Sequence, residues 1–519
     1  MAILMRRLVT LMLALLLSTA LRAGAQGDFV ALCYHEVTGD DPQPYSSTAI
    51  SARELAAHFA WLQANGYHPV SIDAILASRH GGAPLPDHAV LLSFDDGLAN
   101  VYSRAYPLLK LFHYPAVVAP VGAWMDLRPG DTEEYGSSKL SPADFVTWDQ
   151  LKEMQQSGLV EVATHLYQQH LGIVANPQGN REPAVTARLY AGGMYEGDAS
   201  YERRMRDDLI KARDQIDVHL GRPPRVVVWP YGRSNRVAQD MAASLGMPIG
   251  LLLETDVETG PQSLLTIRRH LIQNPATLTH LAEIMRETWP PPPRRALGVD
   301  PTEWPAHDES RLSATLDQLL VIQPNMVFLP PVRSTASGQV ALFPTSQLPV
   351  GPDVLNRIAW QIESRTGAAA YIDVPDVWLD NPGLLEDLAR YVPFQGLRVK
   401  ASPGSASAEA LRRAAGRWRW PVHLVYRMAS LPSPEVWNQL PEGDWVQLPA
   451  NDAVLAGLPI AARGHVILVF DATASAHATA RTMRSLEAKG FGDFAIDELP
   501  PRLDDEVRQA FSPRSEPLR

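Results

Sequence analysis

The chain has 519 residues, too many for one ordinary hydrophobic core, so at least two domains are expected. Its 46% hydrophobic and 20% charged residues exclude a disordered chain. A formal net charge of −11 argues against a nucleic-acid partner, and a single cysteine, Cys33, excludes an internal disulfide.

At the N-terminus, Arg6 and Arg7 precede the apolar run LVTLMLALLLSTAL, and Ala23-Gly24-Ala25 offers small residues at a cleavage spacing. The run falls short of the about 20 residues that span a bilayer. A cleaved signal peptide over residues 1–25 is expected, and with it a periplasmic or secreted protein. No cysteine at that boundary invites a lipid anchor, and no later stretch is long and apolar enough to span a membrane.

Strand and helix patterns then alternate. DFVALCYHEV reads as a strand, and Cys33 within it as a small buried hydrophobe. SARELAAHFAWLQANG reads as a helix with a Ser51/Glu54 capping box and a Gly66 stop. HAVLLSF, PAVVAPV, LVEVATH, RVVVWP and IGLLLE read as strands. Helices fall between them, around VYSRAYPLLKLFH, from Thr147 to Gly158, from about Tyr201 to Leu220, and over NRVAQDMAASLG. This order predicts parallel strands covered by helices, in a closed or distorted barrel.

WPPPPRRA, from Trp289 to Ala296, cannot continue a helix and reads as a stiff connector. The pattern resumes with the strand candidates NMVFLP, AAAYIDVP, GLRVKA, PVHLVYR, DWVQLPA and HVILVFDA. The expected organisation is a first domain over 26–289, a linker over 290–296, a second, shortened (β/α)-barrel-like domain over 297–511, and a disordered tail over 512–519.

Three motifs end apolar strands, where parallel α/β barrels gather their sites. In LLSFDDGLAN, Asp95 and Asp96 stand side by side, and like charges that close raise each other's protonation cost. A bound cation would relieve them; helix-capping carboxylates at an Asp-Gly turn are the alternative. In ATHLYQQHLG, His165 and His170 flank a short loop. Two histidines and one aspartate at strand ends make a two-histidine, one-carboxylate metal site with open positions, of a kind that accepts zinc, iron, cobalt or nickel. In VVVWPYGRSN, Trp229-Pro230-Tyr231-Gly232 is either a packed turn or the source of a backbone N–H beside the metal.

SFDDG, THLYQQH and WPYG, in this order, resemble the motifs of the polysaccharide deacetylases with the NodB homology domain, carbohydrate esterase family 4. The longer histidine spacing, Trp229 in place of arginine, and CYHEV near the mature N-terminus resemble the poly-β-1,6-N-acetyl-D-glucosamine N-deacetylases of the PgaB/HmsF type. LFPTSQLPVGPDVLNRIAWQIESRTGAAAYIDVP resembles the start of that group's C-terminal glycoside-hydrolase-like domain. The resemblance implies a NodB-type distorted barrel, with Asp95 as general base and Asp96, His165 and His170 as ligands of a divalent metal. The metal would polarise the acetamide, and the N–H of Tyr231 would hold the oxyanion, with Trp229 and Pro230 beside the substrate. His35 in CYHEV is the candidate acid; His270, out of register with the family's late histidine motif, reads as a surface or packing residue.

The implied function is deacetylation of poly-N-acetylglucosamine during biofilm exopolysaccharide export, with an outer-membrane porin as a further partner. Deacetylation of peptidoglycan or chitin-like glycans, and glycan binding without turnover, are the alternatives. For the second domain, the stretch matching that group's acidic motif reads GLRVKASPGS, with Lys400 and no carboxylate. Asp471 stands alone at another strand end and reads as a helix cap. The resemblance implies a longer region than this one, so an incomplete barrel is expected, and without those carboxylates it is not expected to cleave the polymer.

Overall fold

A computed structural model describes residues 29–39, 47–253, 264–286, 292–419, 421–441, 443–471, 475–500 and 503–512. The expected signal peptide, residues 287–291 around the start of the expected linker, and the tail beyond Ser512 lie outside these. The chain divides into two compact units. One is drawn from residues 1–168, 210–232 and 246–289, the other from 169–209, 233–245 and 290–519.

In the first unit, strands β1 (Phe29–Tyr34), β2 (Ala89–Phe94), β3 (Ala116–Val118) and β4 (Val160–Val162) pair in parallel in that order. β4 reaches β5 (Val226–Val228) through a parallel bridge, Thr164 to Val227. β5 pairs with β6 (Ile249–Leu252), β6 with Ile267–Arg268, and His270–Leu271 returns to β1. The result is a distorted parallel barrel. Its strands are apolar on both faces, as parallel strands buried under helices must be. Ala31, Leu91, Val117, Val228 and Leu251 pack together, while Leu32, Leu92, Val118 and Val162 join a separate core with the surrounding helices.

The helices begin where their side chains cap them. Ser51 accepts from the N–H of Glu54, whose carboxylate accepts from the N–H of Ser51, and the helix runs Ala52–Ala64. Thr147 caps Trp148–Gln156, and Asn235 caps Arg236–Ser244. Each satisfies an N–H that the first helical turn leaves open.

The second unit contains a closed, eight-stranded parallel barrel. Its strands are β7 (Arg295–Gly298), β8 (Met326–Leu329), β9 (Ala369–Asp373), β10 (Gly396–Val399), β11 (His423–Arg427), β12 (Trp445–Pro449), β13 (Val466–Phe470) and β14 (Phe494–Ile496). Ala296, Met326, Phe328, Tyr371, Val425, Trp445, Ile467 and Ala495 form a core with one or two side chains from most strands. The barrel is short in sequence yet complete, which corrects the expectation of an incomplete one. The strands that close it are β7, hidden in the segment read as linker, and the three-residue β14; they pair with each other.

Gln169–Leu209 groups with this second unit, although the sequence reading places it in the first domain. Polar contacts account for the grouping. Asn176 donates to Asn356 at 2.6 Å, Tyr195 donates to Asp353 at 2.5 Å, and Arg188 lies over the ring of Trp418. No helix among the described residues is long and apolar enough to cross a membrane.

Candidate active site

β2 runs straight into Asp95 and Asp96, and both side chains are buried. Asp96 adopts a left-handed backbone (φ 71°), and so does Gly97 (φ 73°). A Cβ at Gly97 would stand 2.7 Å from the Pro120 side chain, so only glycine completes this turn. Leu166 (φ 64°) and Tyr231 (φ 56°) share the left-handed conformation. Non-glycine residues held there cost on the order of 1–3 kcal/mol each, and such strain concentrates at functional sites. All three of the motifs singled out in the sequence contain one.

The turn sends the two carboxylates to different partners. Asp95 meets Arg269, a fully buried arginine whose Nη1 lies 2.6 Å from Oδ1 and whose Nη2 lies 2.9 Å from Oδ2. Arg269 also donates to the Ser93 hydroxyl and to the carbonyl of Leu252, which fixes its fork. Burial alone would raise the pKa of Asp95; the guanidinium outweighs it and holds the carboxyl below its usual range. The Cys33 Sγ lies 3.4 Å from Asp95 Oδ2, and His35 Nε2 lies 3.9 Å from the same oxygen. Burial, reinforced by Asp95, pushes the Cys33 pKa well up, so it remains a thiol.

Asp96 turns to the histidine loop. Its Oδ1 lies 3.4 Å from His165 Nε2, and its Oδ2 accepts from the Tyr135 hydroxyl at 2.5 Å. His165 Nδ1 lies 2.7 Å from the carbonyl of Val228 and donates to it, which leaves Nε2 facing Asp96. One donor atom from each of Asp96, His165 and His170 lies within 4.8 Å of the others. Burial disfavours charge on His165, yet the Asp96 hydrogen bond and both carboxylates pull its pKa upward. The site thus favours positive charge, and with Arg269 committed to Asp95 the donor set fits a divalent cation.

The structure brings together Asp95, His35, Asp96, His165 and His170. It treats the third motif differently. Trp229 and Pro230 are buried, so the Trp229 indole packs in the fold, while Tyr231 is 45% exposed. His270 is exposed, as expected. Sequence reasoning missed Arg269 and Tyr135. The signal for Arg269 was physical: a buried carboxylate that must stay charged needs a buried cation, and the RRH stretch that drew attention to His270 contained it. Nothing in the local pattern around Tyr135 pointed to Asp96.

Asp95 with His35, and Asp96 with His165 and His170, stand at strand ends, where parallel α/β barrels gather their sites, and the second group offers donor atoms that could hold a metal ion. Residues 82–250 match the polysaccharide deacetylase family model and make up a domain of that family. A poly-β-1,6-N-acetyl-D-glucosamine N-deacetylase of Escherichia coli K12 is 33% identical over 385 residues, which is 72% of this chain and 57% of that protein. The chain thus spans little more than half the length of that relative. An enzyme of the same name from Staphylococcus epidermidis is 22% identical over 265 residues, 49% of this chain and 82% of its own. Among solved structures, a de-N-acetylase from Aggregatibacter actinomycetemcomitans is 39% identical, covering 49% of this chain and 99% of that one, with a TM-score of 0.47. The BpsB deacetylase domain from Bordetella bronchiseptica is 40% identical over 47% of this chain and 94% of its own, with a TM-score of 0.42.

Proposed function

We propose that the chain removes acetyl groups from poly-β-1,6-N-acetyl-D-glucosamine, outside the cytoplasm, during export of a biofilm exopolysaccharide. The observation that carries this reading is the division of labour between adjacent carboxylates: Asp95 pairs bidentately with Arg269, while Asp96 joins His165 and His170 in one donor group. The similarity to enzymes named for this polymer supports the substrate.

A divalent metal held by Asp96, His165 and His170 would act as a Lewis acid toward the acetamide carbonyl and the attacking water. The chain's own residues do the rest. Asp95 stays ionised beside Arg269 and takes the proton from the water as it attacks. His35, 3.9 Å from Asp95, returns a proton to the departing nitrogen. The backbone at Tyr231 faces the developing oxyanion. Breaking the C–N bond releases acetate and leaves a free amine on the sugar. Zinc, iron, cobalt and nickel all suit the donor set.

The second unit accompanies this activity without cleaving the polymer. Its barrel mouth has more carboxylates than the sequence reading noticed, since Asp373 and Asp497 join Asp471 at strand ends. Arg398 occupies both: it pairs bidentately with Asp373 (2.9 and 2.6 Å) and donates to Asp497 at 2.6 Å. A glycosidase needs one carboxyl able to give a proton and another free to act as base or nucleophile. The unit retains deacetylated chains for hand-over to an outer-membrane porin.

The test is acetate release from poly-β-1,6-N-acetylglucosamine oligomers, with chitin and peptidoglycan oligomers alongside. Asp95→Asn should lower turnover by about 100- to 10,000-fold while metal content stays near that of the parent. His165→Ala should lose both. Release from chitin or peptidoglycan alone would move the substrate assignment, and an active Asp95→Asn protein would sink the assignment of the base.

A further inference from the structure

Tyr135 lies on a hairpin, Glu133–Tyr135 paired with Ser138–Leu140, that none of the three motifs contains. Its ring is buried in a small core of its own with Leu98, Val121, Trp124, Leu140 and Phe145. Trp124 meets it edge-on at 5.9 Å. The segment that follows the hairpin is tied to the carboxylate turn, because Val146 N–H donates to the carbonyl of Gly97 at 2.9 Å and Leu98 bridges to Phe145. This satellite core therefore fixes the Tyr135 hydroxyl relative to the Asp96–Gly97 turn. The hydroxyl donates to Asp96 Oδ2 at 2.5 Å, while Oδ1 faces His165 Nε2.

We propose that Tyr135 is a positioning residue that holds Asp96 to one-oxygen metal ligation. A carboxylate with two available oxygens can grip a cation with both, which uses a coordination place and hands over more negative charge. With Oδ2 engaged by a phenol, Oδ1 alone is presented with His165 and His170, and places remain for the water and the acetamide. The hydrogen bond also draws charge from the carboxylate, which keeps the cation a stronger Lewis acid. Partners of ligating carboxylates orient and tune metal sites in this way.

This rests on the reading of Asp96, His165 and His170 as metal ligands, and the experiment separates the two. The metal-free full chain is titrated with cobalt(II), and the visible absorption and affinity are compared for the parent and Tyr135→Phe, which keeps the ring in its core. The variant should bind cobalt with a weaker visible band, reflecting an added oxygen ligand, and its kcat should fall about 10- to 100-fold with KM unchanged. A merely structural tyrosine would shift the melting temperature and leave the spectrum of the bound cobalt alone. A cobalt spectrum and kcat equal to the parent's would overturn the role of Tyr135. A parent that takes up no cobalt, zinc or nickel would overturn the ligand assignment and this inference with it. Should Tyr135→Phe fail to fold, 3-fluorotyrosine placed at 135 decides: a stronger donor on an unchanged ring should move the cobalt band in the opposite direction, and an unmoved band counts against the proposal.

Discussion

The two barrels both place arginine–carboxylate pairs at their strand ends, and they use them in opposite ways. In the first unit, Arg269 pairs both of its terminal nitrogens with Asp95 and leaves the neighbouring Asp96 to His165. In the second, Arg398 bridges carboxylates from two strands, Asp373 and Asp497. One arrangement gives its arginine to one of two adjacent carboxylates; the other shares a single arginine between two carboxylates. A carboxylate at a strand end is therefore only a starting point. What its nearest cation does decides whether chemistry can follow. A third case, in the second unit, lies between them. Glu182 is buried near Arg419, yet its Oε1 has no hydrogen-bond partner among the described residues. Burial dominates there and lifts the carboxyl pKa to about 7, with Arg419 and Asn356 opposing it only in part.

These differences can be broken one cation at a time. Arg269→Met should have the largest effect. It leaves a buried, uncompensated Asp95, a change that costs about 3–5 kcal/mol when one partner of a buried pair is removed. Because Asp95 titrates low in the folded protein, the stability its pair provides is present above the ordinary carboxylate range. That stability fades only as pH falls through the lowered pKa. Urea unfolding of parent and variant at pH 7 measures the loss; equal midpoints would mean that Arg269 is not what compensates Asp95.

Glu182→Gln should act in the other direction. The folded pKa lies above the unfolded one near 4.5, so the protonated, buried form stabilises the fold fully below about pH 4.5. That contribution is lost as pH rises to about 7. At pH 8 the glutamine variant should be more stable than the parent by roughly 3 kcal/mol, with the gap closing at pH 4. A gap independent of pH in the unfolding midpoints would contradict the raised pKa.

Arg398→Met should cost less, about 2 kcal/mol, because solvent reaches both of its partners. Lys400→Met gives the floor. Its pair with Asp376 is exposed on both sides and should be worth under about 1 kcal/mol. If Lys400 proved the costlier of the two, the view of Arg398 as the clamp of the barrel mouth would fail.

Much of this was legible in the chain itself. Capping residues announce their helices locally, and Ser51, Thr147 and Asn235 sit where the sequence pattern places them. The strand-end motifs were legible because Asp-Asp-Gly and the histidine loop interrupt apolar runs. Three things were not. β7 and β14 are short, and β7 abuts prolines, so neither shows the periodicity that marks a strand; their identity is settled by pairing across the barrel. Arg269 lies 174 positions from Asp95, and only the closure of the ring brings them together. Asp373 and Asp497 looked unremarkable because the residue that matters to them, Arg398, belongs to a different strand.

The closure of the second barrel also bears on the order of events as the chain is made. β7 is paired on one side with β8 and on the other with β14, and Arg294 N–H reaches Asp493 across 199 positions. Until β14 is synthesised, β7 and β13 each present an unsatisfied strand edge, the kind of surface on which chains stick to one another. Contacts of such long range are slow to form. A nascent or translocating chain therefore carries two open edges for nearly the whole time this unit is being produced. The three residues Phe494–Ile496 seal both at once, so a nonsense codon a few residues before them should yield an aggregate rather than a slightly shorter protein.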